Sequence, residues 1–191
     1  MTPSQQEIDD LVIASHFNLQ KVKEILSETP SILNENAEWL ETPIQAASHV
    51  GNTDIVDYLL SVGAPMDICT ATLLGKTDDV RAMLADQPEL IHARGAHDIP
   101  LLYFAAIGHQ MELARELISA GAEVNGPEGG IAPLHGAARR GYTDMVQLLL
   151  DAGADPYATD IEGHLAYDLA KAGEHVETVE LLKTFLDAED Q

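Results

Sequence analysis

The chain has 191 residues, of which 46% are apolar and 22% charged, and its formal net charge is −22. This apolar content excludes a wholly disordered chain, and the acidic balance argues against binding to nucleic acid or to a membrane surface. The single cysteine, Cys69, excludes an internal disulfide and a zinc site built from several cysteines. The opening residues, MTPSQQEIDD, are not typical of a signal peptide. We therefore expect a monomeric protein in the cytoplasm.

Four stretches of the chain share one pattern, in which small residues are followed by a polar turn. In chain order they are TPIQAASHVGN from Thr42, IPLLYFAAIGH from Ile99, APLHGAARRGY from Ala132 and LAYDLAKAGEH from Leu165. Apolar residues at helical spacing follow the turns, which predicts helix–turn–helix units. Two weaker copies, LVIASHFN near the start and CTATLLGK from Cys69, bring the predicted number of units to six.

The spacing of these units indicates one irregularity. The residues at the predicted turns are Phe17, Gly51, Gly75, Gly108, Gly141 and Glu174. Their intervals are 34, 24, 33, 33 and 33 residues, so the second interval is about nine residues short of the usual period. The shortage falls in GAPMDIC, and we predict that the third unit lacks its finger, the projecting β-turn that precedes each inner helix. The predicted units span approximately residues 5–34, 35–66, 67–95, 96–127, 128–160 and 161–188.

These motifs resemble ankyrin repeats, whose pattern is Thr-Pro-Leu-His-x-Ala-Ala-x-x-Gly-His, a second helix and a Gly-Ala-Asp turn. The segment Pro133-Leu134-His135 matches that pattern most closely, and the resemblance covers nearly the whole chain. It implies an all-α solenoid of helix–turn–helix units with short β-turn fingers. It also implies a non-enzymatic adaptor or inhibitor that binds another protein through a concave groove.

The resemblance implies where such a partner binds. The groove of an ankyrin-like stack is lined by finger tips, here including Trp39 and Glu41, and by exposed inner-helix residues just before each turn. Carried over to this chain, these rules give a partner-binding set of Trp39, His49, Val50, Leu73, Leu74, Ile107, Arg139 and Arg140. The apolar members form either an exposed hot spot or, if units two and four close over the missing finger, part of the core.

The sequence contains no P-loop, dinucleotide-binding or hydrolase motif, and we predict no catalytic residue, cofactor or metal site. His16 and His49 lie on neighbouring inner helices, whose separation of ~8–10 Å is expected to keep their imidazoles too far apart to share zinc. Cys69 is expected to be a small core residue. One alternative stays open, namely an enzyme or small-ligand-binding protein with a pocket at the third unit, near Tyr103, Cys69 and His49. Another is an acidic decoy that occupies a nucleic-acid-binding surface.

Overall fold

The computed structural model describes residues 3–187, and this part of the chain contains twelve α-helices and three short 3-10 segments. The first six helices are α1 (Gln5–Phe17), α2 (Leu19–Glu28), α3 (Pro43–His49), α4 (Thr53–Ser61), α5 (Ile68–Leu73) and α6 (Thr77–Asp86). The last six are α7 (Leu101–Ile107), α8 (Met111–Ser119), α9 (Pro133–Arg140), α10 (Thr143–Asp151), α11 (Ala166–Ala172) and α12 (Val176–Asp187). None of these helices is both long enough and apolar enough to cross a lipid bilayer.

The helices form antiparallel pairs, with odd-numbered inner helices and even-numbered outer helices. Local sequence explains how the pairs begin and turn. Thr42 caps α3 with its hydroxyl while Gln45 binds the backbone of Thr42 in return, and Pro43 occupies the first turn. Gly141 ends α9 in the left-handed conformation (φ 68°), which glycine adopts without strain.

The inner and outer helices contribute different residues to one continuous core. Alanines such as Ala105 and Ala137 are fully buried on the inner helices, where the lack of a large side chain lets neighbouring helices approach closely. Leucines such as Leu59 and Leu149 are fully buried on the outer helices and fill the layer between pairs. Between residues 3 and 187, β-structure is limited to two isolated bridges, Arg94 with Pro100 and Thr159 with Leu165. The predicted all-α solenoid of helix pairs is confirmed.

The connection between α4 and α5 is short and changes the course of the stack. It comprises only residues 62–67, whereas α10 and α11 are joined by residues 152–165. Beyond it, Tyr103 on α7 donates a hydrogen bond from its hydroxyl to the carbonyl of His49 at 3.1 Å. Helix α7 thus reaches α3, although α5 lies between them in sequence. The inner helices therefore curl around a tight concave face.

Candidate functional site

A groove with a volume of about 480 Å³ lies on this concave face. Its lining residues come from the ends of α1 and α3, from α7 and α9, and from two fingers: Phe17, His49, Val50, Tyr103, Ile107, Ile131, His135, Gly136, Arg139, Arg140 and Asp160. Gly136 is needed where α9 crosses α7, because a Cβ atom there would lie 2.6 Å from Ile107 and 2.7 Å from Tyr103. The groove thus has an apolar floor formed by two closely packed inner helices.

Two arginines supply positive charge at the end of α9. Arg140 is exposed, and its Nη2 donates a hydrogen bond to the carbonyl oxygen of Val50 at 2.7 Å. Arg139 is 61% exposed, and its Nη2 lies 3.7 Å from the carboxylate of Asp160. Since a guanidinium has five N–H groups, each arginine keeps donors for a bound carboxylate.

Asp160 lines the groove, and its side chain is buried. Burial by itself would raise the pKa of this group, but hydrogen bonds from the backbone N–H groups of His164 and Glu162 outweigh it and hold the pKa below its ordinary value. Asp160 is therefore ionised at neutral pH and offsets part of the charge of Arg139.

The structure brings five of the eight predicted partner-binding residues to the groove: His49, Val50, Ile107, Arg139 and Arg140. The other three lie elsewhere. Trp39 is 42% exposed outside the groove, and its indole N–H donates to Glu41 at 2.8 Å. Leu74 is half-buried and packs on the core.

Of the two alternatives for the apolar members, burial in the core is the one observed for Leu73 and, almost completely, for Ile107. Leu73 is 1% exposed and Ile107 is 5% exposed. The reason is the close approach of α7 to α5 and α3, which covers Leu73 with core residues and leaves only the edge of Ile107 facing the groove. Glu41 was likewise expected at a finger tip, and it is buried.

Phe17 was not among the predicted partner-binding residues, although it was predicted to lie at a turn. Phe17 is 80% exposed at the end of α1 and forms one wall of the groove. The signal that could have identified it is a large aromatic residue at a turn position where most of the other units have glycine. Asp160 had no comparable signal, because it is one of many acidic residues.

The histidines contradict the expected separation. The ring centroids of His16 and His49 lie 5.0 Å apart, because both side chains lean from α1 and α3 toward the buried carboxylate of Glu41. The His49 ring also lies 5.0 Å from that of His97. Neighbouring inner helices therefore do not keep these imidazoles apart.

Cys69 is buried on α5. Burial, together with the charge of Asp67, raises the pKa of its thiol strongly, so the thiol stays protonated. This environment is that of a core residue and does not activate a nucleophile.

The fold defines a helical repeat protein with a groove on its concave face. Comparison with known families identifies the repeat: a profile of three ankyrin repeats matches residues 68–160, and a single ankyrin repeat matches residues 39–71. The chain belongs to the ankyrin-repeat family. Ankyrin repeats are non-catalytic modules that generally mediate protein–protein interaction.

Curated relatives share parts of this chain. Palmitoyltransferase Hip14 of Drosophila melanogaster is 35% identical over 99 residues, which are 51% of this chain and 15% of that protein. The probable E3 ubiquitin-protein ligase XBOS34 of Oryza sativa is 32% identical over 112 residues, 57% of this chain and 22% of that protein. Human ARF GTPase-activating protein GIT1 is 40% identical over 74 residues, 38% of this chain and 10% of that protein. The matched segments thus make up less than a quarter of each of these relatives.

Proposed function

We propose that this chain is a non-enzymatic adaptor or inhibitor that binds a segment of another protein in the concave groove between α3, α7 and α9. The observation that carries the proposal is the combination of an apolar floor with two exposed guanidinium groups, in a chain whose net charge is −22. An apolar centre with a charged rim is how a protein-binding hot spot is commonly built.

The chemistry of the groove defines the partner segment. The apolar floor, formed by Tyr103 and Ile107 and flanked by Phe17, suits an aliphatic or aromatic side chain. Arg139 and Arg140 suit a carboxylate beside it, because arginine binds carboxylates with paired N–H donors. We therefore expect the partner segment to carry an apolar residue next to an aspartate or glutamate.

The alternative of a pocket enzyme has less support. Cys69, its proposed nucleophile, is buried away from the groove, and the raised pKa keeps its thiol neutral. The hydroxyl group of Tyr103 donates a hydrogen bond to the carbonyl oxygen of His49, and burial raises the pKa of the phenol. Both effects favour the neutral phenol. We also propose that the chain acts as a monomer in the cytoplasm, which its charge and single cysteine support.

A selection from a phage-displayed library of random peptides tests the groove directly. We expect enriched peptides to contain the apolar–acidic pair, and the double variant Arg139→Ala/Arg140→Ala to bind them at least about tenfold more weakly. The matched control is Arg81→Ala/Arg115→Ala, which removes the same charge from the outer helices α6 and α8.

Two results would contradict the proposal. Equal weakening in both double variants would show that only the overall charge matters. Unchanged binding in the Arg139→Ala/Arg140→Ala variant would show that the peptides bind another surface.

A further inference from the structure

A cluster of four side chains lies at the edge of the groove, and the proposed function does not use it as a unit. His16 comes from α1, Glu41 from the turn before α3, His49 from the end of α3, and His97 from the short helix Ala96–Asp98. Their distances to the Glu41 carboxylate are 3.7 Å from His16 Nε2, 2.7 Å from His49 Nδ1 and 3.7 Å from His97 Nε2. The His16 and His49 contacts bring ring nitrogens from α1 and α3 to the two oxygens of one carboxylate, and His97 approaches the same carboxylate from the segment before α7.

The carboxylate at the centre is buried and incompletely satisfied. Glu41 is 1% exposed, and its Oε2 accepts the indole N–H of Trp39 at 2.8 Å. Its Oε1 lies near His49 Nδ1, but the two atoms are not aligned as a hydrogen bond, and neither has another such partner in residues 3–187. A buried polar atom without a partner is destabilising, so this pair of atoms calls for an explanation.

The tautomer of His16 indicates what the cluster lacks. Its Nδ1 lies 3.0 Å from the carbonyl oxygen of Val12, and a carbonyl only accepts, so Nδ1 carries the proton. In the neutral ring, Nε2 then presents a lone pair toward the Glu41 carboxylate. A cation held between these two electron-rich atoms would satisfy both of them. A backbone carbonyl on the far nitrogen is also the contact that usually orients a metal-binding histidine.

The backbone holds two of these residues in place at an energetic cost. Leu40, just before Glu41, has a φ of 65°, and its side chain is 81% exposed, so core packing does not explain its strained conformation. His97 and Asp98 also have positive φ values, 58° and 60°. Leu40 occupies the position that Gly163, with a φ of 83°, occupies in the finger turn before α11, so this conformation belongs to the finger turn of the repeat.

We propose that His16, Glu41 and His49 form a binding site for one Zn²⁺ ion, and that the side chain of His97, 3.7 Å from the Glu41 carboxylate, moves in to become the fourth ligand. Three imidazoles and one carboxylate are a ligand set that zinc accepts in tetrahedral geometry. With bonds of ~2.0–2.1 Å, ligand atoms of a tetrahedral site lie about 3.4 Å apart, and the distances of 2.7 and 3.7 Å bracket this value. The ligand atoms of His16, Glu41 and His49 all lie within 4.8 Å of one another. His97 is half-exposed and gives the ion access from solvent.

In this arrangement the zinc ion acts as a clamp, which means that it links three segments of the chain through their side chains. The short connection of residues 62–67 brings His97 against α3. Zinc joins α1, α3 and the segment before α7, which are far apart in sequence. Trp39 supports the site by holding Oε2 of Glu41. Because His49 also lines the groove, the clamp fixes one edge of the proposed binding surface.

The test uses the purified full chain, freed of metal with a chelator and titrated with Zn²⁺ in a calorimeter, and with Co²⁺ as a spectroscopic probe. We expect one equivalent of Zn²⁺ to bind and Co²⁺ to give the visible absorption of a tetrahedral site. The variants His16→Gln and His97→Gln should each weaken Zn²⁺ binding at least about tenfold, and His97 is half-exposed, so its substitution should not disturb the fold. Trp39→Phe should weaken Zn²⁺ binding by a factor of about 10 or less, because Trp39 contacts a ligand and not the ion.

The matched control is His164→Gln, because His164 also lies near two carboxylates, those of Asp160 and Glu162, but outside the cluster. It should bind Zn²⁺ as the unmodified chain does. Absence of binding to the unmodified chain would overturn the proposal whatever the variants do. Equal binding in His16→Gln, His97→Gln and the unmodified chain would also overturn it, by showing adventitious binding elsewhere.

Discussion

The side chain of Arg140 donates a hydrogen bond to the backbone carbonyl of Val50 at 2.7 Å, although the two residues are 90 positions apart in the chain. This contact spans the concave face from the end of α9 to the end of α3. It shows that the stack curls far enough for inner helices of non-adjacent pairs to meet. The groove is the space enclosed by that curl.

Substitution of Gly51 tests this contact. A Cβ atom at Gly51 would lie 2.5 Å from Nη2 of Arg140, and the backbone there has a φ of 69°. We expect Gly51→Ala to lower the free energy of unfolding by about 1–2 kcal/mol from backbone strain, with a further loss from the clash with Arg140. Denaturant unfolding measures both.

The effect of the clash with Arg140 can be separated from the effect of backbone strain by introducing Gly51→Ala into two variant chains, Arg140→Ala and Arg139→Ala. Gly51→Ala should be less destabilising in Arg140→Ala than in Arg139→Ala, whose guanidinium does not contact Gly51, by about 0.5 kcal/mol or more. The same loss in both backgrounds would mean that Arg140 does not pack over Gly51 in solution.

The outer-helix core gives a second prediction. Leu149 is fully buried on α10, so Leu149→Ala should leave a cavity and lower the free energy of unfolding by about 2–5 kcal/mol. Ile161→Ala is the control, because Ile161 is 73% exposed and its truncation should change stability by less than about 0.5 kcal/mol. Similar small shifts of the denaturation midpoint for both variants would contradict the assigned core.

His135 gives a prediction about pH. Its Nδ1 accepts the backbone N–H of Ala132, and its Nε2 donates to the carbonyl of Ala158, so the buried ring is neutral. Burial lowers the pKa of His135, despite the hydrogen bond to Ala158 and the charge of Asp160. The unfolded chain therefore takes up a proton at a higher pH than the folded chain does.

The stability that His135 contributes is thus fully present above its ordinary pKa of about 6.5 and is lost as the pH falls below that value. We expect the difference in unfolding free energy between the unmodified chain and His135→Gln to be smaller at pH 5 than at pH 7.5. A difference that is the same at both pH values would show that His135 does not titrate differently in the two states.

Local patterns in the sequence were enough to predict the helices and part of the groove. Apolar spacing and turn residues predict the helix pairs, and the resemblance to ankyrin repeats implies that Val50, Arg139 and Arg140, just before the turns, face the concave side. Each of these inferences depends on residues close together in the chain. The structure confirms the fold that follows from them.

The burial of Leu73 and the approach of His16 to His49 depend on contacts between segments that are far apart in the chain. Local sequence patterns do not predict such contacts. Leu73 is buried because α7 approaches α3 across the short connection. His16 and His49 meet at the buried carboxylate of Glu41, which follows the finger-turn residue Leu40. A leucine in that position gives no sequence signal of such a turn, so the expected separation of the imidazoles was wrong.

The most direct test of the groove is backbone amide hydrogen exchange of the full chain, with and without a saturating peptide from the selection. We predict that the peptide slows exchange at the ends of α3 and α9 and along α7, because these segments form the groove. Slower exchange confined to the outer helices α4, α8 and α10 would contradict the account, since it would place the partner on the opposite face of the stack.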